Sequence, residues 1–370
     1  MPTLFIKDDL RAAVEAASGG RQTVLYTAKG QPSYMTVVPR FNLEDLAEPG
    51  VDLGKGPHPA FIVNGVEKSE FFYGTYCGVI KNGELLSLPN TPPDRARSFD
   101  TFSNVARANG IGWHLGSNAE WAALMLWCHR NGFVPRGNDH YGRSSDAPYE
   151  TGRRVAGEAI GDTSTDGPVL TGSGPCGWRH DNTHAGIADL CGNLWEWQGG
   201  LRLVEGEIHI IPNNDAVSAD LSTHSSAWRA IRLSDGALVA PGTPGTARLD
   251  SPTATTQGNG GVPVLAEHIT HRTGAEGANS NDIGHNDGPF GAMKHATGIT
   301  IPTLLKVLGL YRHKELGDSD RIHLRNYGER LPIRGGNWGS GPTAGLRALG
   351  LADSRSHIDT SVGGRPAFVL

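Results

Sequence analysis

Fifteen histidines make metal chemistry the first possibility to test. Two pairs, His180 with His184 in HDNTH and His268 with His271 in HITH, have spacings that could supply two ligands. A catalytic zinc needs three protein ligands and an open position, and no third ligand follows either pair on an expected helix. Both therefore read as solvated loop histidines. The four cysteines, Cys77, Cys128, Cys176 and Cys191, include no C-x-x-C pair, so they read as isolated reduced thiols. No G-x-S-x-G elbow, phosphate-binding loop or dinucleotide fingerprint occurs. GIADLCGNLWEW offers different chemistry. Its Gly192-Asn193 turn can expose backbone carbonyls beside Asp189, and Glu196 follows, giving the hard oxygen donors that calcium selects. The same residues also read as structure, with Trp195 and Trp197 on one strand face in the core and Asp189 capping a turn.

The elements that would position such groups are short. The chain has 370 residues, 51 of them Gly, with 38% apolar and 19% charged residues, a composition rich in loops and turns around a packed core. A net charge of −5 argues against a nucleic-acid binder, which needs a basic field. No run approaches the ~20 apolar residues of a membrane helix, so membrane insertion is not expected. The N-terminus lacks the basic-then-apolar layout of a secretory signal.

Residues 3–17 read as a helix with Leu10, Ala13, Val14 and Ala17 on its apolar face, followed by a hairpin over 19–41. A second strand pair is expected at 61–63 and 71–80. The clearest helix is SNAEWAALMLWCHRNG, capped by Ser117 or Asn118 and stopped at Gly132, with Trp121, Leu124, Met125 and Cys128 at helical spacing. Residues 135–183 carry almost no periodicity. From Gly199 to about Asp320 lies a long Gly-, Thr- and Asn-rich segment. Alternating residues at 201–211 open it, and a helix at 301–310 comes near its end. Short strands at 322–324, 331–334, 344–349 and 367–370 close the chain.

Four stretches, GWHLGSNAEWAAL (112–124), GIADLCGNLWEWQ (186–198), LPIRGGNWG (331–339) and GGRPAF (363–368), resemble in order the signature motifs of the formylglycine-generating-enzyme/sulfatase-modifying-factor family. The segment 36–90 resembles that family's opening strands. The resemblance implies an α+β, elaborated C-type lectin fold over 36–370, Gly-rich with long loops. A helix-hairpin extension would precede it at 1–35, and an insertion would occupy about 199–330. It also implies a structural calcium ion at Asp189, the Gly192 and Leu194 carbonyls, and Glu196. No organic cofactor is expected. Oxidase members carry a cysteine pair after the R-G-G tripeptide, and the matching positions here are Ser340 and Gly345. Without that pair the chain is not expected to be an enzyme.

The stretch RGGNWGSGPTAGLRALGLADSRSHIDTSVGGRPAF looks like the C-terminal variable region of proteins diversified by retroelements, many of them phage-encoded. In that family an error-prone reverse transcriptase randomises template adenines, and the affected codons never become Lys, Glu, Gln, Met or Trp. None of residues 339–361 is one of those five. The variable region then spans about 334–368. Its changeable positions would be Gly339, Ser340, Gly341, Pro342, Thr343, Gly350, Ala352, Asp353, Ser356, His357, Asp359 and Ser361, clustered on one exposed surface. Leu346, Ala348, Leu349, Leu351, Ile358 and Val362 read as apolar anchors.

The expected function is ligand recognition: a receptor- or adhesin-like protein that binds varied protein targets, displayed on a phage virion or bacterial cell surface. Two rivals are a formylglycine-generating-like oxidoreductase and a fixed-specificity, calcium-dependent sugar lectin. The 199–330 segment is expected to buttress the variable face. Both of its ends carry apolar residues that must be buried.

Overall fold

A computed structural model describes residues 8–274, 284–314 and 319–370. The architecture is mixed α/β, with curled sheets and few helices. A five-stranded sheet contains, in spatial order, Gln22–Tyr26, Pro32–Pro39, Glu70–Gly74, Pro366–Phe368 and Trp113–Leu115. The end of the chain thus fills the middle of a sheet begun near residue 22. All its pairings are antiparallel.

The second, larger sheet is branched around Glu329–Gly335, the central strand. This strand pairs with Leu201–Val204, with Trp195–Trp197 and with the long strand Gly345–Asp353. On its far side the long strand runs parallel to Arg321–Leu324, which in turn pairs with Asn286–Pro289. Strands from 199–330 therefore flank the C-terminal segment on two sides. Within that stretch, Arg248–Asp250 and Val264–Ala266 also pair, in residues that look like turn material in sequence.

The helix Asn118–Arg130 begins where its capping signals place it. Ser117 Oγ accepts the Glu120 N–H, and the Glu120 carboxylate accepts the Ser117 N–H, the reciprocal arrangement of a capping box. Most of its residues are buried, so the expected apolar face understates its packing. Trp121, Leu124 and Met125 belong to one hydrophobic core, together with Leu349 and Leu351 of the long strand. A second core holds Phe99, Phe102, Trp195, Trp197, Ile333 and Val362.

Several expectations change. The first helix is Asp9–Ser18, with Leu10, Ala13 and Ala17 exposed; Leu4, Phe5 and Ile6 lie outside the described residues. The expected strand 71–80 is two strands, Glu70–Gly74 and Gly78–Lys81, which pair with different partners. The helix expected at 301–310 covers only Thr303–Val307. Pro302 pushes the residue before it away from helical geometry, and Gly309 (φ 62°) ends the turn.

Candidate ligand-binding face

The C-terminal segment is held by two buried arginines. Arg334 donates to Asn118 Oδ1 at 2.8 Å and to the Gly309 carbonyl at 2.9 Å, joining the central strand to the capped helix. Burial pulls its pKa down to about 9. Arg365 donates through Nε to Glu196 Oε2 at 2.9 Å and through Nη2 to Glu196 Oε1 at 2.5 Å. It also reaches the Gly74 and Ala188 carbonyls, each at 2.9 Å. Burial acts to lower the Arg365 pKa, and the opposed charge of Glu196 outweighs it, leaving the group above its usual range.

This pairing bears on the calcium expectation. Both Glu196 oxygens are taken by a guanidinium that is itself fully buried, so a second cation would meet Arg365. Asp189 Oδ2 accepts the Gly172 N–H, while its Oδ1 is buried without a partner and burial raises its pKa. The Gly192 N–H is bonded to the Gly335 carbonyl, tying this turn to the central strand. The Asp189, Gly192, Leu194 and Glu196 donor set does not fit a calcium ion as arranged. Among the described residues no group of three or more His, Cys, Asp or Glu side chains is placed to hold a metal. His180, expected in solvent, is buried, and its Nδ1 accepts the Ile187 N–H.

Between the two arginines the positions expected to be changeable fall mainly on two loops. Gly339, Ser340, Gly341, Pro342 and Thr343 form the first, and Asp353, Ser356, His357, Asp359 and Ser361 lie on the second; all are exposed or half-buried. Arg95 joins the two loops. Its guanidinium lies 5.5 Å from the Trp338 ring centre and donates to the Thr360 carbonyl at 3.1 Å and to Asp166 at 2.6 Å.

Two expected positions are not on the surface. Ala352 is buried. Gly350 is buried too, and a Cβ there would lie 2.6 Å from His323 Cε1 and from Ile333 Cγ1, so a side chain cannot be accommodated without displacement. One expected anchor is the reverse case: Ile358 is 62% exposed. Ala348, Leu349, Leu351 and Val362 are buried as expected, while Leu346 is only partly so.

Each loop borders a recess. Pro342 borders one of about 470 Å³, with Asp139, Asp320, Cys191 and Arg347 on its walls. Gly345 lies here, and a Cβ at that position would sit 2.2 Å from Asp320 Oδ1. A cysteine at the second oxidase position would therefore clash. Burial raises the Asp320 carboxyl to about 6 and the Cys191 thiol well above its usual range.

The second recess, of about 300 Å³, lies under the 353–361 loop. Its floor is a strand whose residues alternate: Ile322 and Leu324 face the core, while Arg321, His323 and Arg325 face the recess. Trp195, buried in the sheet, meets the His323 ring at 5.5 Å, edge to face. Burial, followed by Arg321, pulls the His323 pKa down to about 3, so the ring is neutral. Burial raises the Asp353 carboxyl, against the opposing pull of His357 and Arg325. The sequence signal for these residues is the R-I-H-L-R alternation, which reads as a strand with an apolar and a basic face.

No protein-family model matches the chain, and no curated protein matches it. A solved structure titled "Major Tropism Determinant P3c Variant" is a weak structural neighbour. Its TM-score is 0.30 at 11% sequence identity, covering 94% of this chain and 71% of that one. Likeness of that size carries no argument for this chain.

Proposed function

We propose that the chain is a ligand-binding protein, receptor- or adhesin-like, with an elaborated C-type lectin fold of the formylglycine-generating type. Its C-terminal region is diversified by a retroelement to recognise varied protein targets. One observation carries the reading: along 334–365, framework and surface are segregated. Arg334, Ala348, Leu349, Leu351, Val362 and Arg365 are buried, while the two loops between them are open to solvent. Exposed substitutions usually shift stability by no more than about 0.5 kcal/mol, so such loops can change while the framework stays folded. Rigid frames presenting exchangeable side chains are how antibodies solve the same problem. The clash at Gly345 favours binding over thiol chemistry at this place. A virion or cell surface is the setting such a protein would need.

The flanking DNA tests this directly. The reading expects a near-copy of codons 334–368 that differs at adenines, next to a reverse-transcriptase gene. Flanking DNA without such a repeat, and an unvarying C-terminal segment across related isolates, would overturn the retroelement assignment.

A further inference from the structure

A third recess, of about 410 Å³, lies between the strand Pro32–Pro39, the helix Asn118–Arg130 and the 180–185 loop, and no residue of 334–368 lines it. Val38 and Phe41 line it from the strand side, and Leu124, Trp127 and Phe133 from the helix side. The Trp127 and Phe133 rings are stacked, with centres 5.6 Å apart and planes 17° from parallel. Phe41, Trp127 and Phe133 are each only half-buried, so three aromatic side chains keep exposed area around one recess. Covering that area with an apolar ligand is favourable.

One polar group on these walls lacks a partner. His180 Nδ1 accepts the Ile187 N–H at 2.8 Å, and a backbone amide can only donate, so the neutral ring carries its proton on Nε2. Burial pulls the His180 pKa down to about 4, against the pull of Asp181, and the ring is neutral at pH 7. The residue is 8% exposed, yet its Nε2 is neither partnered among the described residues nor closed off by protein atoms. With Nδ1 turned to the Ile187 backbone, the opposite edge of the ring presents Nε2–H to the recess that His180 lines. The other polar groups on the walls are satisfied. Arg21 and Asp181 pair at 3.2 Å, the Thr183 hydroxyl donates to Asp181, and Thr36 is bonded to Thr75. The lining therefore carries one positive and one negative charge, already joined. A water on Nε2 would find little of the two to four polar contacts that ordered waters hold.

We propose that this recess binds a neutral aromatic group through one hydrogen-bond acceptor, with the ring against Trp127 and Phe133 and the acceptor on His180 Nε2. Apolar walls with a single placed donor, in a volume within the usual 300–1,000 Å³ or so, are the features of a small-ligand pocket. Ring-to-ring contact adds attraction beyond the area it buries. A charged ligand would find no free counter-charge on the walls. An aryl ketone and the phenol of a tyrosine side chain share the required chemistry. The site does not depend on reading the C-terminal loops as a binding face.

The test uses the whole protein and four probes: acetophenone, N-acetyltyrosine N-methylamide, cyclohexyl methyl ketone and benzoate. Binding is read by calorimetry and by the His180 Nε2 NMR signal, assigned through its contact with the Trp127 ring. Acetophenone, the tyrosine probe or both should bind with a Kd of about 1 mM or tighter and move that signal. Tighter binding of acetophenone identifies a free small molecule as the source, and tighter binding of the tyrosine probe a protein side chain; either upholds the site. Cyclohexyl methyl ketone keeps the acceptor without the aromatic ring and should bind at least about threefold weaker than the better aromatic probe. Benzoate, charged at pH 7, should bind at least about tenfold weaker. His180→Phe keeps a ring and removes the donor, and should weaken the better probe about 3–10-fold. Trp127→Leu should weaken it at least about threefold. Should His180→Phe fail to fold, the ring signal of the unaltered protein and Trp127→Leu decide. Binding by neither neutral aromatic probe, equal binding of benzoate or of cyclohexyl methyl ketone, an unmoved His180 signal, or full binding by a folded His180→Phe or Trp127→Leu would overturn the proposal.

Discussion

Replacing Glu196 with Ala would strand Arg365 in the interior. The guanidinium is fully buried and spends two nitrogens on the Glu196 carboxylate and two contacts on the Gly74 and Ala188 carbonyls. With the carboxylate gone, the carbonyls remain but nothing balances the charge. Removing one member of a buried pair costs about 3–5 kcal/mol, well above the ~1 kcal/mol typical of point substitutions. Glu196→Gln retains one acceptor oxygen and should cost less. In Glu196→Met/Arg365→Met no charge is left over, although the two carbonyls lose their donor. The double variant should therefore be more stable than the summed single losses imply, by roughly 1–3 kcal/mol. Denaturant melts of these proteins together with Glu196→Met and Arg365→Met alone give these values. A Glu196→Ala cost below about 1 kcal/mol, or strict additivity, would refute the paired assignment. Added calcium should leave the unaltered protein's midpoint unchanged. A calcium-dependent rise that Glu196→Gln abolishes would return Glu196 to the role of metal ligand.

Other consequences are simpler to check. Glu207 accepts from His209 at 2.7 Å, Gly242 N–H at 2.9 Å and Arg248 at 3.0 Å. Burial acts to raise its pKa, but these bonds and that from Thr246 bring it to about 2. A depressed folded pKa means stability that is full above the unfolded value of 4.5 and is lost as pH falls toward 2. The loss should be on the order of 2–3 kcal/mol in acid melts and absent in Glu207→Gln. Gly350→Ala should cost about 1–3 kcal/mol through crowding against His323 and Ile333, whereas Pro342→Ala and Ser356→Ala should each stay within about 0.5 kcal/mol by thermal melting. Ile358→Asp should leave the melting temperature in place and weaken ligand capture, because an exposed apolar side chain on the face has no folding role to lose.

What the sequence makes legible is local. Ser117 or Asn118 announces the helix because capping is settled within one turn. The hairpin over 22–39 follows from alternation around a turn. The framing motifs mark Arg334 and Arg365 as special, and both are buried. Pairings across long stretches of chain leave no comparable trace. Glu196 looks like a metal ligand until Arg365, 169 residues later, is seen to occupy it. The parallel pairing of Arg321–Leu324 with the long strand brings the 199–330 segment beside the 353–361 loop, and nothing in either strand alone encodes it. Gly350 shows the same limit. The resemblance places it among the changeable positions, yet its neighbours from two other strands leave no room for a side chain.

The central claim, that exposed loops on a fixed frame choose the ligand, is best tested by a display library. Gly339, Pro342, Thr343, Ser356, His357 and Ile358 would be randomised together, with Arg334, Gly350 and Arg365 kept. The account predicts that most members fold with near-parental melting temperatures and that selection against unrelated protein targets yields binders differing only at these six positions. A library that largely fails to fold, or folded members that all share one ligand preference, would contradict it.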